Sequence, residues 1–168
     1  MGKKVRRAVF GALLLATASL FPALRLPQYI TGSAVNCILL IATYALDMGG
    51  VIIGFLTPWI AVATQQMPFV YMAPFIMVGN AIYCLSFYLL KRYGNLGMIA
   101  GIILGAILKF LFLSIAVTKL VFYFFNIRAP PLLIQMMSIP QLVTALVGGF
   151  IALLIIKRTR KLIDKLCF

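Results

Sequence analysis

The sequence predicts an all-α integral membrane protein, a single domain over residues 1–168 folded as a six-helix bundle with both termini in the cytoplasm. Three observations lead there. Hydrophobic residues make up 64% of the chain and charged residues only 10%, with a mean hydropathy of +1.14. A soluble domain carries about a quarter charged residues, so there is too little polar surface here to cover a water-facing globule. Long apolar stretches alternate with short polar, glycine- or proline-containing breaks. Eleven of the fifteen Lys and Arg residues fall in three clusters, Lys3-Lys4-Val5-Arg6-Arg7, Lys91-Arg92, and Lys157, Arg158, Arg160, Lys161 and Lys165.

A membrane helix needs roughly 20 mostly apolar residues, fewer where protein buries its ends. The first span covers about 8–24, and a polar turn follows over 25–32 with Pro27 and Gly32 as breakers. The second covers about 33–46 and is interrupted by Asp47-Met48-Gly49-Gly50. The third, about 51–63, ends at a second polar turn, Thr64-Gln65-Gln66-Met67-Pro68. The fourth runs about 72–90 and is closed by Lys91-Arg92-Tyr93-Gly94-Asn95. The fifth covers about 96–117, with an apolar run on toward Phe125; residues 126–135, with Pro130-Pro131, form a connection to the sixth, about 136–156.

The second and third spans are short, so one long helix with a glycine hinge is the competing reading. Lys and Arg are retained on the cytoplasmic side during insertion, and their distribution separates the two. Six spans place eleven basic residues inside and three outside (Arg25, Lys119, Arg128), with Lys109 in the membrane. Five spans place six inside and eight outside. The six-span reading fits the rule.

Several function classes fall away. The stretch from Ala8 has the basic start of a signal peptide, but no small-x-small cleavage site leads into a polar mature chain, so it is read as a retained span. The net charge of +13 flanks apolar segments instead of forming an aromatic-interleaved patch; anionic lipid headgroups account for it. Cys37, Cys84 and Cys167 match no disulfide or metal spacing. With no His, and Asp47 and Asp164 as the sole carboxylates, no acid–base pair or metal cluster suggests itself, so no enzyme is expected. The chain has no phosphate-cradling glycine loop ending in Lys-Ser/Thr, so uphill transport would need energy from another subunit.

Two groups of residues remain as candidates. Ala8, Ala12 and Ala16 recur every fourth residue, with Gly11 and Ala18 nearby. Such spacing makes a helical stripe where another helix approaches closely, inside the protein or from a partner. The second group is polar. Lys109 lies ~20 Å along the fifth span at about 1.5 Å per residue, deep for snorkelling, with no intramembrane acid to neutralise it. Asn80, Asn36, Gln66, Gln135 and Gln141 fall on the same outer half. Each alone reads as an interhelical hydrogen bond; together they suggest a polar cavity open to the outside, ringed by Arg25, Lys119 and Arg128. Trp59 and Tyr83 are interfacial or packing residues that could also stack on a flat ligand.

The chain resembles the substrate-binding S components of energy-coupling factor (ECF) transporters, ABC importers for vitamins and other micronutrients. The most specific element is Ala8-x-x-x-Ala12-x-x-x-Ala16, similar to the alanine motif by which S components dock on the transmembrane T component. Thr31-Gly32-Ser33-Ala34-Val35-Asn36, Gly54-Phe55-Leu56-Thr57-Pro58-Trp59 and Pro74-Phe75-Ile76-Met77-Val78-Gly79-Asn80 also resemble S-component stretches. The resemblance implies a multi-pass protein of a prokaryotic plasma membrane that captures a micronutrient in an outward-facing pocket. It implies a lid in the first outer turn, here Arg25, Gln28 and Tyr29, and toppling of the loaded protein as it docks. It also implies two cytoplasmic ATPases that consume ATP, with no cofactor or metal in this chain. The uncompensated basic residues favour an anionic or electron-rich ligand such as a carboxylate-bearing vitamin; a neutral ligand held by Asn80 and aromatic stacking is the alternative. A structural or assembly protein would use the same alanine stripe without a ligand, and a stand-alone facilitator would show flux without an ATPase.

Overall fold

The computed structural model describes residues 2–67 and 69–167, with side chains through Ile163. Pro68, expected in the second polar turn, and the side chains of Asp164, Lys165 and Cys167 lie outside the described residues. All regular structure among the described residues is helical: α1 (Lys3–Ala23), α2 (Gln28–Leu46), α3 (Met48–Ala63), α4 (Ala73–Leu90), α5 (Gly94–Ile115), α6 (Val121–Phe125), α7 (Pro131–Met136) and α8 (Ile139–Cys167). A 3-10 turn, Val70–Met72, leads into α4, another, Lys91–Tyr93, joins α4 to α5, and a π-helical turn, Ala116–Leu120, carries α5 into α6.

Four helical stretches among the described residues are long and apolar enough to cross a membrane: Lys3–Ala23, Gln28–Leu46, Val70–Phe125 and Pro131–Ile163. The third is a hairpin. Gly97 of α5 faces Leu90 of α4, Gly101 faces Phe87 and Gly105 faces Tyr83, so the two helices run antiparallel. A methyl on Gly101 would lie 2.9 Å from the Phe87 Cα, and one on Gly105 3.0 Å from the Tyr83 ring. This glycine repeat lets the backbones close on each other. Met48–Ala63 is a shorter apolar helix; its 16 residues span about 24 Å, less than a ~30 Å hydrocarbon core.

Several breaks sit elsewhere than the sequence suggests. The polar turn expected over 25–32 shrinks to the residues between α1 and α2, because Pro27 caps α2 and Gln28 already begins it. Gly32 is helical; a side chain there would meet Thr144 Cγ2 of α8 at 2.9 Å, so it marks a helix contact. The break at 47–50 narrows to Asp47, with φ 57°. Gly49 and Gly50 belong to α3, and a Cβ on Gly50 would collide with the Thr43 backbone. The connection over 126–135 contains α7, started by Pro131 at a first-turn position that suits proline. The last helix begins at Ile139 and runs 29 residues, about 43 Å, well past the expected 156.

α2 packs most extensively on α8, and three buried clusters follow the bundle axis. Cys37, Leu40, Tyr83, Phe87, Ile102 and Ala152 belong to the central one. Met72, Phe75, Leu113, Val121 and Leu133 close one end. Leu46, Val51, Ile53 and Ile163, with Phe10 and Leu14 against them, close the other. That second end gathers charge. Asp47 Oδ1 accepts from Lys91 Nζ at 2.7 Å and its Oδ2 from Arg7 at 3.4 Å. Lys91 Nζ also donates to the carbonyls of Thr43 (2.8 Å) and Tyr44 (3.1 Å), capping the C-terminal turn of α2. The start of α1, the α2–α3 break and the α4–α5 turn are thereby tied together. Positive residues oppose the macrodipole at the start of α1, so helix stability does not explain the Lys3–Arg7 cluster.

Candidate functional site

At the end opposite Asp47, the helices part around a cavity of about 390 Å³. Its walls come from the α1–α2 junction, the first half of α2, the end of α3, Gln66, Met67 and Phe69, α4, α5, α7 and the start of α8. Both the first turns of α2 and the last turns of α3 line it, so those helices form an antiparallel pair. Most of the wall is apolar, supplied by residues such as Val35, Ile76, Met67, Leu133, Met136 and Met137.

The polar floor is built around Lys109, which is only 3% exposed. Its Nζ donates to Asn36 Oδ1 at 2.7 Å and to Asn80 Oδ1 at 2.8 Å. Each asparagine is oriented in turn: Asn36 Nδ2 donates to Thr144 Oγ1 at 3.4 Å, and Asn80 Nδ2 to the Gly54 carbonyl at 3.3 Å. Nζ also lies 5.5 Å from the centre of the Tyr83 ring, within cation–π range. Tyr83 itself is fully buried behind the lysine, its hydroxyl donating to the Ala145 carbonyl at 2.6 Å. An ammonium carries three donors. Two are taken by the asparagines, and Lys109 is among the residues that line the cavity. Helices α2, α4 and α5 thus meet at one amine, and α8 joins them through Thr144 on Asn36 and the Ala145 carbonyl on Tyr83.

Of the residues singled out from sequence, Asn36, Asn80, Lys109, Gln66 and Gln141 line the cavity, as do Arg25 and Gln28. Gln28 Nε2 donates to the Met136 carbonyl at 2.6 Å, joining the start of α2 to α7. Arg25 is exposed at φ 51°, in the short link before Pro27. Tyr29 is exposed on the first turn of α2, away from the lining. Trp59 is 47% exposed on the outside of α3, its Nε1 donating to Met77 Sδ at 3.2 Å. Lys119 on the π-helical turn, Arg128 in the link before α7 and Gln135 on α7 are exposed and off the wall. The basic ring imagined around the mouth therefore reduces to Arg25.

Thr144 was not anticipated, nor were the three methionines. Thr144 follows Gln141 by three residues, so helical periodicity on α8 places it on the face already marked by that glutamine. The methionines carry no such mark.

On α1, Ala8, Ala12 and Ala16 are all exposed, and Ala18 is the helix's one buried residue. The stripe is therefore not consumed by packing within the chain. Ala8 and Ala12 line a shallow groove with Gly11, Leu46, Gly49 and Ile53.

A family model described as the substrate-specific component of ECF transporters matches residues 6–158. Comparison with curated proteins gave no match, and comparison with solved structures gave none.

Proposed function

The chain belongs to the family of ECF transporter substrate-specific components, and from that premise we propose that it captures a vitamin or related micronutrient in the cavity floored by Lys109. It is a multi-pass protein of the cell membrane. Family membership implies a small-molecule substrate, with a T component and ATPases as partners. The chain itself is not an enzyme and holds no cofactor; ATP is used by the partner subunits.

The observation that carries this reading is the cavity: largely apolar, with Lys109, Asn36, Asn80 and Gln141 converging on it from four helices. A concave, mostly apolar site with a few placed polar groups is the usual form of a small-molecule site. A protein acting only through its helix faces has no use for a deeply held amine, whose burial is costly.

The membrane arrangement completes the proposal. Six spans, including the short α3, place the Lys3–Arg7, Lys91–Arg92 and Lys157–Lys161 clusters inside and the cavity outside, in keeping with the retention of basic residues in the cytoplasm. The exposed Ala8, Ala12 and Ala16 stripe is the docking face for the T component, where small residues let helices approach closely. Loaded protein topples on docking and the ATPases drive release. The link at Arg25 and the first turn of α2, with Gln28 and Tyr29, covers the mouth.

Native mass spectrometry of gently purified protein tests the reading. A stoichiometric co-purified small molecule is expected. Protein that carries none, and gains no thermal stability from a panel of vitamins and their precursors, would point instead to a structural or assembly role.

A further inference from the structure

Resting on the capture reading above, we infer that the ligand is a monocarboxylate with a predominantly apolar body, whose carboxylate is the counter-charge for Lys109. The argument is a charge count carried through the fold. The chain has two acidic residues in all, Asp47 and Asp164. Asp47 is engaged by Lys91 and Arg7 at the end of the bundle opposite the cavity. Asp164 follows Ile163, which belongs to the buried cluster at that same end. It lies about 35 Å along α8 from the cavity-lining Gln141, at 1.5 Å per residue. Asp47 is held away from Lys109, and the backbone of residue 164 lies that far from the cavity end of α8.

Among the described residues, this amine is solvated by neutral dipoles. Asn36 and Asn80 present amide oxygens at 2.7 and 2.8 Å, and the Tyr83 ring presents its π face. Those groups satisfy two donors and leave the charge itself uncompensated. A buried ammonium without a counter-charge is costly, and a ligand that brings one recovers that cost on binding. Asn36 and Asn80 each commit one amide N–H, to Thr144 and to the Gly54 carbonyl, and both turn their oxygens to the lysine. An ammonium has a third donor, and because Lys109 lines the cavity that donor is the one assigned here to the incoming group.

The same count limits the ligand's charge. One deeply buried cation lines the cavity, and the other basic lining residue, Arg25, is exposed at its mouth. A dianion such as a phosphate monoester would leave a second negative charge among Val35, Ile76, Leu133 and the methionines. A single carboxylate is matched by one ammonium. Met67, Met136 and Met137 are polarizable and conformationally adaptable, and they suit an irregular apolar or aromatic body above that headgroup.

The test compares full-length wild type, Lys109→Met and Asn36→Asp. Each is purified in mild detergent, examined by native mass spectrometry, then stripped and titrated with aryl and alkyl monocarboxylates and their primary amides. The aspartate variant installs an internal counter-charge where an oxygen now lies 2.7 Å from Nζ, and Thr144 donates to it on turning its hydroxyl from the Gln141 carbonyl, so it keeps the test decisive should Lys109→Met fail to fold. The expected result is a bound monocarboxylate in wild type. Its affinity should fall about tenfold or more in both variants, amide analogues should bind correspondingly weakly, and stripped Asn36→Asp should unfold at a higher temperature than stripped wild type. A neutral or cationic bound molecule, or a carboxylate held equally well by the folded variants, would overturn the charge inference and leave capture standing. A wild type that binds nothing, before or after the panel, would overturn the capture reading and this inference with it.

Discussion

Replacing Gly148 by alanine should force α8 away from α2 and loosen the floor of the cavity. The added methyl would run into the Ser33 carbonyl oxygen and lie 2.9 Å from Asn36 Cβ and 3.0 Å from the Cys37 amide nitrogen. All three belong to the backbone or the first side-chain carbon of α2, so no rotamer change relieves the contact. Carbon atoms settle at about 3.5–4.0 Å, and restoring that separation moves the helices apart by roughly 0.6–1 Å. The Asn36–Thr144 hydrogen bond, already 3.4 Å long and one turn from Gly148, would not survive that shift. Overpacking of this kind costs about 1–3 kcal/mol. The assay is equilibrium unfolding in detergent, run beside ligand titration. Gly2→Ala serves as control because its methyl would meet nothing within 4 Å. Stability should drop in Gly148→Ala alone, and affinity should drop with it as Asn36 leaves Lys109. Unfolding within about 0.3 kcal/mol of the parent with unchanged affinity, well below the expected penalty, would refute the claim that this glycine sets the α2–α8 distance.

Further predictions concern the charged end, the exposed stripe and the membrane orientation. Lys91→Met should destabilise more than Asp47→Asn in the same unfolding assay. The aspartate change loses partly exposed ion pairs worth about 1 kcal/mol or less, whereas the lysine change also strips the Thr43 and Tyr44 carbonyls of a donor, for about 1–3 kcal/mol. Ala12→Leu should leave folding and ligand binding intact, because Ala12 is exposed, while reducing co-purification with the T component about tenfold or more; normal recovery of the complex would exclude this stripe as the docking face. Cysteines introduced one at a time at Leu26 and Asn95, in a chain carrying Cys167→Ser and with Cys37 and Cys84 buried, should label from opposite sides in intact cells, Leu26 from outside; labelling of both from one side would refute the alternating topology.

The sequence by itself determined the class of protein and the inventory of its parts. Composition excluded a soluble globule, and Pro27 and Asp47 marked real breaks, because proline and a left-handed backbone interrupt helices whatever surrounds them. Lys109, Asn36 and Asn80 stood out because polar groups inside apolar spans are expensive and so need a reason to be there. Gly32, Gly49 and Gly50 misled as breakers; in a membrane bundle a helical glycine is as readily a contact point for a neighbouring helix. Only the tertiary structure decided which candidates meet. Lys109 joins partners 73 and 29 residues away, while Trp59, Lys119, Arg128 and Gln135 point elsewhere. Asp47, unremarkable as a lone acid, became the tie between the start of α1 and the α2–α3 and α4–α5 breaks. Helical period fixes the angle between residues on one helix, but not the rotation of that helix about its own axis relative to its neighbours. That rotation is set by close packing, here by Gly97, Gly101 and Gly105 against α4 and by Gly32 and Gly148 between α2 and α8, and it turns Asn36 toward the amine with Thr144 behind it.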